Sequence, residues 1–136
     1  MRRLLVKDWM TPAPITVHPQ STLPHARKLM EEHHIRRLPV IEDDELVGIV
    51  TIGDLREAQP SDVQSLRSFE AENLVNLITV DTVMTPNPIT VTPETSIGEA
   101  ARLMLERKIS GLPVLKHGKL AGIITETDLC RLLTQI

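Results

Sequence analysis

The hydrophobic and polar positions of this chain follow one pattern twice. The stretches 46–55 and 120–129 each begin with a run of branched apolar residues that ends in a Thr, and an Asp follows three residues later. The apolar run predicts a buried β-strand, and the polar residues after it predict the first turn of a helix. Each stretch therefore places a hydroxyl and a carboxylate at a strand-to-helix junction. These side chains belong to Thr51 and Asp54 in the first stretch, and to Thr125 and Asp128 in the second.

The repeated pattern extends over almost the whole chain. Met10 matches Met84 at an offset of 74 residues (84 − 10), and no gap is needed to align the residues that follow. The further matches are Pro19 with Pro93, Met30 with Met104, and Pro39 with Pro113. Two units of about 50 residues are too few for a solenoid and predict a pseudo-twofold pair. We predict a first repeat at 7–58, a helical linker at 59–80 and a second repeat at 81–136.

Within each copy the spacing predicts an extended segment, a helix, two strands and a closing helix. The segments 11–19 and 85–93 contain several prolines, which fix φ and favour extended chain. A helix is predicted from about residue 23 to residue 34, because apolar residues recur there at helical spacing. Ser96-Ile-Gly-Glu99 predicts a capping box at the start of its counterpart. Pro39 and Pro113 in the next strands favour an edge position or the start of a strand, since proline has no N–H.

Composition narrows the classes of function. The 136 residues carry a net charge of −3 with both signs interspersed, which argues against a nucleic-acid surface. Trp9 and Phe69 are the only aromatic residues, so no base-stacking platform is expected. The single cysteine, Cys130, fits a reducing cytosol and is expected to be a small buried residue. Without a long apolar run, and with charges close behind the first Met, a cytoplasmic protein without a membrane partner is expected.

The two copies resemble a tandem pair of CBS domains, the family named for cystathionine β-synthase. The resemblance rests on the Met-Thr-Pro segments, the Leu-Pro-Val strands and the Gly-hydrophobic-x-Thr-x-x-Asp junctions, and it covers about residues 7 to 135. It implies an α/β (α+β) fold in which two repeats pack through their sheets and leave two equivalent clefts. It also implies a regulatory sensor of an adenosine-containing ligand, such as AMP, ADP, ATP or S-adenosylmethionine, that assembles as a homodimer and needs no other cofactor.

The Thr-x-x-Asp junctions admit two interpretations. A Thr followed three residues later by an acid at a helix start is typical of a capping box, with Asp in place of Glu. An acid in the first turn also suits the helix dipole. In the family context, the same carboxylate would accept hydrogen bonds from both hydroxyls of a ribose 2′,3′-diol, and such charge-assisted bonds are strong. The two roles are compatible.

The resemblance implies that each site combines the Thr and Asp of one copy with the extended segment and the start of the first strand from the other copy. One site would comprise Ile49, Thr51, Asp54, Arg36 and Arg37, with Thr85, Ile89, Ile109, Ser110 and Gly111 facing the base. The other would comprise Ile123, Thr125 and Asp128, with Thr11, Ile15, Ile35, Arg36 and Arg37 opposite.

The two predicted sites differ in charge. Arg36 and Arg37 precede the first Leu-Pro-Val strand, where guanidinium groups could bind phosphates or could be solvated residues at a helix end. The second copy has Ser110-Gly111 at these positions, which lets a backbone approach the base but supplies no positive charge. We therefore predict two unequal sites, with the Asp54 site preferring a phosphorylated adenosine ligand.

Two other functions remain open at this stage. The chain could be a ligand-free structural dimerisation module of a larger regulatory or transport system, in which each Asp only caps its helix. An enzyme such as a nucleotide hydrolase is not expected, because no nucleophile, base or metal cluster is evident in the sequence. His33 and His34 are adjacent and cannot both face one metal ion from a regular helix.

Overall fold

The computed structural model describes residues 4–58 and 77–136, which form two compact units. Of the described residues, 4–14 and 88–136 belong to unit 1, and 15–58 and 77–87 belong to unit 2. Most of the predicted helical linker falls in residues 59–76 and lies outside the described residues. In the part of the chain that is described, no helix has the length and apolar character needed to cross a membrane.

The elements follow each other in the predicted order in both copies. The helices are α1 (Val6–Trp9), α2 (Leu23–His33), α3 (Ile52–Glu57), α4 (Ile97–Arg107) and α5 (Glu126–Leu133). The strands are β1 (Thr11–Pro12), β2 (Arg37–Glu42), β3 (Glu45–Thr51), β4 (Thr85–Pro86), β5 (Gly111–Lys116) and β6 (Lys119–Thr125). A short 3-10 helix, Val80–Thr82, precedes β4. The predicted α/β class is confirmed.

Helices α2 and α4 begin at residues whose hydroxyl groups cap them. The Thr22 hydroxyl accepts a hydrogen bond from the amide of His25, and the Ser96 hydroxyl accepts one from the amide of Glu99 at 3.1 Å. The Glu99 carboxylate binds Arg102, one turn along α4, at 2.8 Å. The serine half of the predicted capping box is therefore formed, and the glutamate has a different partner.

The hairpins β2–β3 and β5–β6 have the same register. Arg37 lies opposite Thr51, and Gly111 lies opposite Thr125. Each hairpin joins a three-stranded sheet, in the order β2-β3-β4 in unit 2 and β1-β6-β5 in unit 1. Pro39 and Pro113 therefore lie in outer strands, as predicted from their missing N–H groups.

The third strand of each sheet comes from the other copy. In unit 2, Thr85 of β4 pairs antiparallel with Ile49 of β3. In unit 1, Thr11 of β1 pairs antiparallel with Ile123 of β6. Each Met-Thr-Pro segment thus leaves its own copy and completes the sheet of the other, and this exchange defines the two units.

The exchange begins ahead of the Met-Thr-Pro segments. The carbonyl oxygen of Leu4 accepts a hydrogen bond from Ile97 at the start of α4, and that of Ile78 accepts one from Leu23 at the start of α2. Val6 precedes the first copy and is fully buried among residues of the second. Val80 precedes the second copy and is fully buried among residues of the first. The repeat in the structure therefore begins at residues 4 and 78, earlier than the sequence match at Met10 and Met84.

The two hydrophobic cores are built from matching positions. The core of unit 1 comprises Val6, Val91, Ile97, Ala100, Met104, Leu112, Val114, Ile124 and Leu132. The core of unit 2 comprises Val17, Leu23, Ala26, Met30, Leu38, Val40, Val50, Leu55 and Val80. Eight of the nine positions in each core correspond at the offset of 74, which is the packing counterpart of the sequence repeat.

A glycine allows each exchanged strand to approach closely. A Cβ atom placed on Gly122 would lie 2.6 Å from Met10 Sδ and 2.8 Å from the carbonyl oxygen of Thr11. A Cβ on Gly48 would meet the corresponding atoms of Met84 and Thr85. The methionine of each Met-Thr-Pro segment thus packs over the glycine of the other copy's central strand, which explains why both residues occur in the repeated pattern.

We expect Gly122→Ala to lower the free energy of unfolding by about 1–3 kcal/mol, because the methyl group must displace the Thr11 backbone. Gly98→Ala is the matched control. An added Cβ at this exposed position in α4 has no heavy atom within 4 Å outside its own helix, and alanine should stabilise the helix by up to about 1 kcal/mol. Urea unfolding followed by circular dichroism measures both changes, and equal effects would contradict the close approach at Gly122.

Candidate functional site

The first junction is a complete capping box. Thr51 ends β3 and is the N-cap of α3, and its hydroxyl accepts a hydrogen bond from the amide of Asp54 at 3.1 Å. The amide of Thr51 donates in return to Oδ2 of Asp54 at 2.8 Å. Asp54 is half-buried. The capping interpretation is confirmed for this junction, and it occupies one oxygen of the carboxylate.

At the second junction the carboxylate accepts more hydrogen bonds. Oδ2 of Asp128 accepts from the Thr125 amide at 2.8 Å and from the Thr125 hydroxyl at 3.2 Å. Oδ1 accepts from Arg131 Nη2 at 2.8 Å, and the same nitrogen donates to the carbonyl oxygen of Trp9 at 3.2 Å. Asp128 is 3% exposed and is the one buried charged residue within the described ranges. Its burial is compatible with charge because both oxygens are paired.

The two junctions therefore have the same strand-to-helix backbone but differ in the side chains that pair with the Asp carboxylate. The residue at the position of Arg131 in the first copy is Glu57, an exposed acid that cannot donate to a carboxylate. Sequence reasoning missed the Arg131–Asp128 pair. The signal was present, since residues three apart on a helix face each other and Asp followed by Arg at this spacing forms an ion pair.

The start of the first strand in each copy lies beside that copy's own junction. The carbonyl oxygen of Arg36 accepts a hydrogen bond from Ile52 at 2.8 Å, and Arg37 is the strand partner of Thr51. In the second copy, the carbonyl oxygen of Ser110 accepts one from Glu126 at 3.0 Å. The backbone thus places the Arg36-Arg37 pair next to Thr51-x-x-Asp54, and the Ser110-Gly111 pair next to Thr125-x-x-Asp128.

Strand pairing gathers part of each predicted site within one unit. Unit 2 brings together Arg36, Arg37, Ile49, Thr51, Asp54 and Thr85. Unit 1 brings together Thr11, Ile123, Thr125 and Asp128. Thr85 and Thr11 come from the copy that does not supply the Asp of their unit. That they contact a ligand there stays a prediction.

The remaining predicted site residues lie in the other unit. Ile89, Ile109, Ser110 and Gly111 belong to unit 1. Ile15, Ile35 and the Arg36-Arg37 pair predicted opposite Asp128 belong to unit 2. The four isoleucines pack against the core of their own unit and are half-buried. It stays a prediction that these residues contact the adenine base of a ligand whose ribose is bound by the Asp of the other unit.

Other candidate chemistry is sparse in the described part of the chain. Residues 4–58 and 77–136 contain no group of three or more His, Cys, Asp or Glu side chains that could hold a metal ion. The prediction that Cys130 is buried is wrong, since its side chain is exposed. Leu132 of α5 faces the core, and Cys130 lies two positions away on the helix, toward solvent.

Two exchanged repeats, each ending in a Thr-x-x-Asp junction, form the architecture of a CBS domain pair. The family model described as CBS domain matches residues 6–61 and 80–135. The chain belongs to this family, which confirms the resemblance seen in the sequence.

Among its relatives is a CBS domain-containing protein of Dictyostelium discoideum, 36% identical over 136 residues, which cover 98% of this chain and 94% of the relative. The solved structure of CBSX2 from Arabidopsis thaliana in complex with AMP is 36% identical, with 96% of each chain covered and a TM-score of 0.79. The CBS domain pair of protein MJ0100, in complex with 5′-methylthioadenosine and S-adenosyl-L-methionine, is 29% identical, with 98% of each chain covered and a TM-score of 0.81.

Some relatives are much longer than this chain. An inosine-5′-monophosphate dehydrogenase of Korarchaeum cryptofilum is 41% identical over 115 residues, and these residues are 21% of its length. The CBS pair therefore occurs both as nearly the whole of a short protein and as a small part of a larger enzyme.

We expect Asp128→Ala to lower the free energy of unfolding by about 2–3 kcal/mol, because a buried carboxylate that accepts three hydrogen bonds is lost. Asp54→Ala, the matched change at the half-buried junction, should lower it by about 1 kcal/mol, since one charged hydrogen bond is lost there. Urea unfolding measures both. A larger effect at Asp54 would contradict the difference in pairing.

Proposed function

We propose that this protein is a regulatory CBS pair that binds an adenosine-containing ligand at its Thr-x-x-Asp junctions. The observation that carries the proposal is the strand exchange. It pairs Thr85 with Ile49 in the strand that ends at the Asp54 junction, and Thr11 with Ile123 in the strand that ends at the Asp128 junction. Each unit thus contains residues of both copies and one Thr-x-x-Asp junction. CBS pairs of the same fold hold AMP in one solved structure, and 5′-methylthioadenosine with S-adenosyl-L-methionine in another.

The capping role leaves the Asp54 carboxylate able to bind a ribose. A carboxylate offers about four lone-pair positions, and the Thr51 amide occupies one of them. The 2′- and 3′-hydroxyls of a ribose can donate to the others through charge-assisted hydrogen bonds. The bond to Thr51 also fixes the orientation of the carboxylate before a ligand arrives, which reduces the entropy lost on binding.

The charge next to each junction supports a difference in ligand preference. Arg36 and Arg37 stand at the start of β2 beside Thr51, and guanidinium groups match the geometry of phosphate oxygens. Ser110 and Gly111 take these positions beside Thr125 and contribute no charge. The Asp54 junction is therefore proposed to take the phosphorylated ligands AMP, ADP or ATP.

The regulatory output is proposed to pass through a homodimer to a partner protein or to an attached domain. A ligand changes an assembly only by binding two of its states with different affinity, and such coupling is typically about 1–3 kcal/mol. The longer relative shows that a CBS pair can be covalently part of an enzyme. No catalytic step is assigned to this chain.

A ligand-free dimerisation module is the second candidate. It is favoured by the hydrogen bonds at the two junctions, because both carboxylates accept from a backbone amide and so have a structural role without any ligand. The two candidates differ in whether an adenosine compound stabilises the protein.

We expect AMP at 100 times its dissociation constant to raise the free energy of unfolding by roughly 2.7 kcal/mol. Calorimetric titration with AMP measures the dissociation constant, and thermal unfolding with and without AMP measures the stabilisation. Asp54→Ala should remove most of the AMP affinity, because the ribose loses its acceptor. Glu106→Ala, which removes an exposed carboxylate from α4, is the control and should bind AMP unchanged.

The ligand panel for this experiment is adenosine, AMP, ADP, ATP, 5′-methylthioadenosine and S-adenosylmethionine. If none of them stabilises the chain, the dimerisation module replaces the sensor. If Asp54→Ala leaves AMP affinity intact while Asp128→Ala abolishes it, the assignment of the phosphate-preferring site is wrong. Release of ADP from ATP, measured in the same samples, would contradict a non-catalytic role.

A further inference from the structure

The Asp128 carboxylate already has an internal cationic partner. Arg131, one turn further along α5, donates from Nη2 to Oδ1 of Asp128 at 2.8 Å. Oδ2 accepts from the amide and the hydroxyl of Thr125. Three of the roughly four lone-pair positions of this carboxylate are therefore filled within the protein. A ribose that binds Asp128 must share or replace the contact with Arg131.

The first copy provides a natural comparison. Its junction has the same strand, turn and helix, and the Thr51 amide donates to Oδ2 of Asp54 at 2.8 Å, as the Thr125 amide does to Oδ2 of Asp128. At the position of Arg131 it has Glu57, which repels a neighbouring carboxylate. Within the closing helices, Arg131 and Glu57 are therefore a matched pair of positions at which the charge three residues after the Asp is reversed.

We propose that Arg131 is an internal competitor for the Asp128 carboxylate and makes the second junction the weaker of two adenosine sites. The inference rests on the proposed function and adds a residue that determines the order in which the sites fill. The Asp54 junction binds first, and the Asp128 junction binds at higher ligand concentration, when Arg131 is displaced.

The exposure of the pair is what makes displacement feasible. The Asp128 side chain is 4% exposed, whereas that of Arg131 is 52% exposed. A half-exposed guanidinium is screened by water and returns readily to it, so the pair is weaker than one buried on both sides. Arg131 therefore lowers the affinity of the site without closing it.

Displacement of Arg131 also removes a hydrogen bond to helix α1. The Nη2 atom that binds Asp128 also donates to the carbonyl oxygen of Trp9, the last residue of α1. A ligand that takes over Oδ1 releases the guanidinium, and this contact with α1 is lost with it. Trp9, the single tryptophan of the chain, then reports ligand binding at the second junction and not at the first.

Paired variants isolate each junction, with adenosine as the probe because it carries the diol and lacks phosphate. Asp54→Ala leaves Asp128 as the remaining junction, and adding Arg131→Gln should tighten adenosine binding about tenfold, a typical size for coupling between neighbouring groups. Asp128→Ala leaves Asp54, and adding Glu57→Arg should weaken adenosine binding about tenfold. Calorimetry measures the affinities, and adenosine should change Trp9 fluorescence in Asp54→Ala but not in Asp128→Ala.

The outcomes separate this inference from the proposed function. If neither adenosine nor AMP binds the unsubstituted chain, the proposed function fails. If both bind and each double variant matches its parent, Arg131 is not a competitor and the proposed function stands. Weaker AMP binding with unchanged adenosine binding in the Arg131→Gln variant would make Arg131 a phosphate ligand and would overturn the proposal. If the Arg131→Gln variant does not fold, the comparison of Asp128→Ala with and without Glu57→Arg tests the proposal by itself.

Discussion

The backbone pairing between the Met-Thr-Pro segment of one copy and the central strand of the other is the interaction on which the rest of the structure depends. It pairs Thr85 with Ile49 and Thr11 with Ile123. Beside each pairing, a glycine in the central strand leaves room for the methionine side chain, and a Cβ atom at that position would collide with it. The sheets, the cores and the two junctions all follow from it, because each unit contains residues from both copies. A strand pairing only two residues long thus joins segments of both copies in each unit.

Within this symmetric framework the two copies have diverged in charge rather than in backbone. Strand register and most core positions match at the offset of 74, whereas the polar residues around the two Asp side chains do not. One junction has two arginines before its strand and a glutamate after its Asp; the other has a serine and a glycine before, and an arginine after. Duplication preserved the packing that both copies need, and substitutions at the surface changed the chemistry of each junction separately.

Sequence reasoning predicted the order of helix, two strands and closing helix in each copy, an edge position as one alternative for Pro39, and the cap at Thr51. These features depend on local spacing and on the chemistry of single residues. It missed the start of the structural repeat at residues 4 and 78, where the two copies share little more than a buried valine. It also missed the bond from Arg131 to the Trp9 carbonyl, since a contact across 122 positions has no local signal. A contact of Ile89 or Ile109 with a ligand would depend on packing between residues far apart in the sequence, which the residue pattern of one strand does not predict.

The exchange of Met-Thr-Pro segments has a consequence for how such a protein could have arisen. A polypeptide with only one copy would have a two-stranded hairpin, with its own Met-Thr-Pro segment unable to add to it and no methionine over its central glycine. Its helices would still pack on the hairpin, but the third strand and the buried valine of the exchanged segment would be missing. Such a half-length ancestor could complete its sheet by trading segments with a second identical molecule, so gene fusion would have made permanent an association that two separate chains already required.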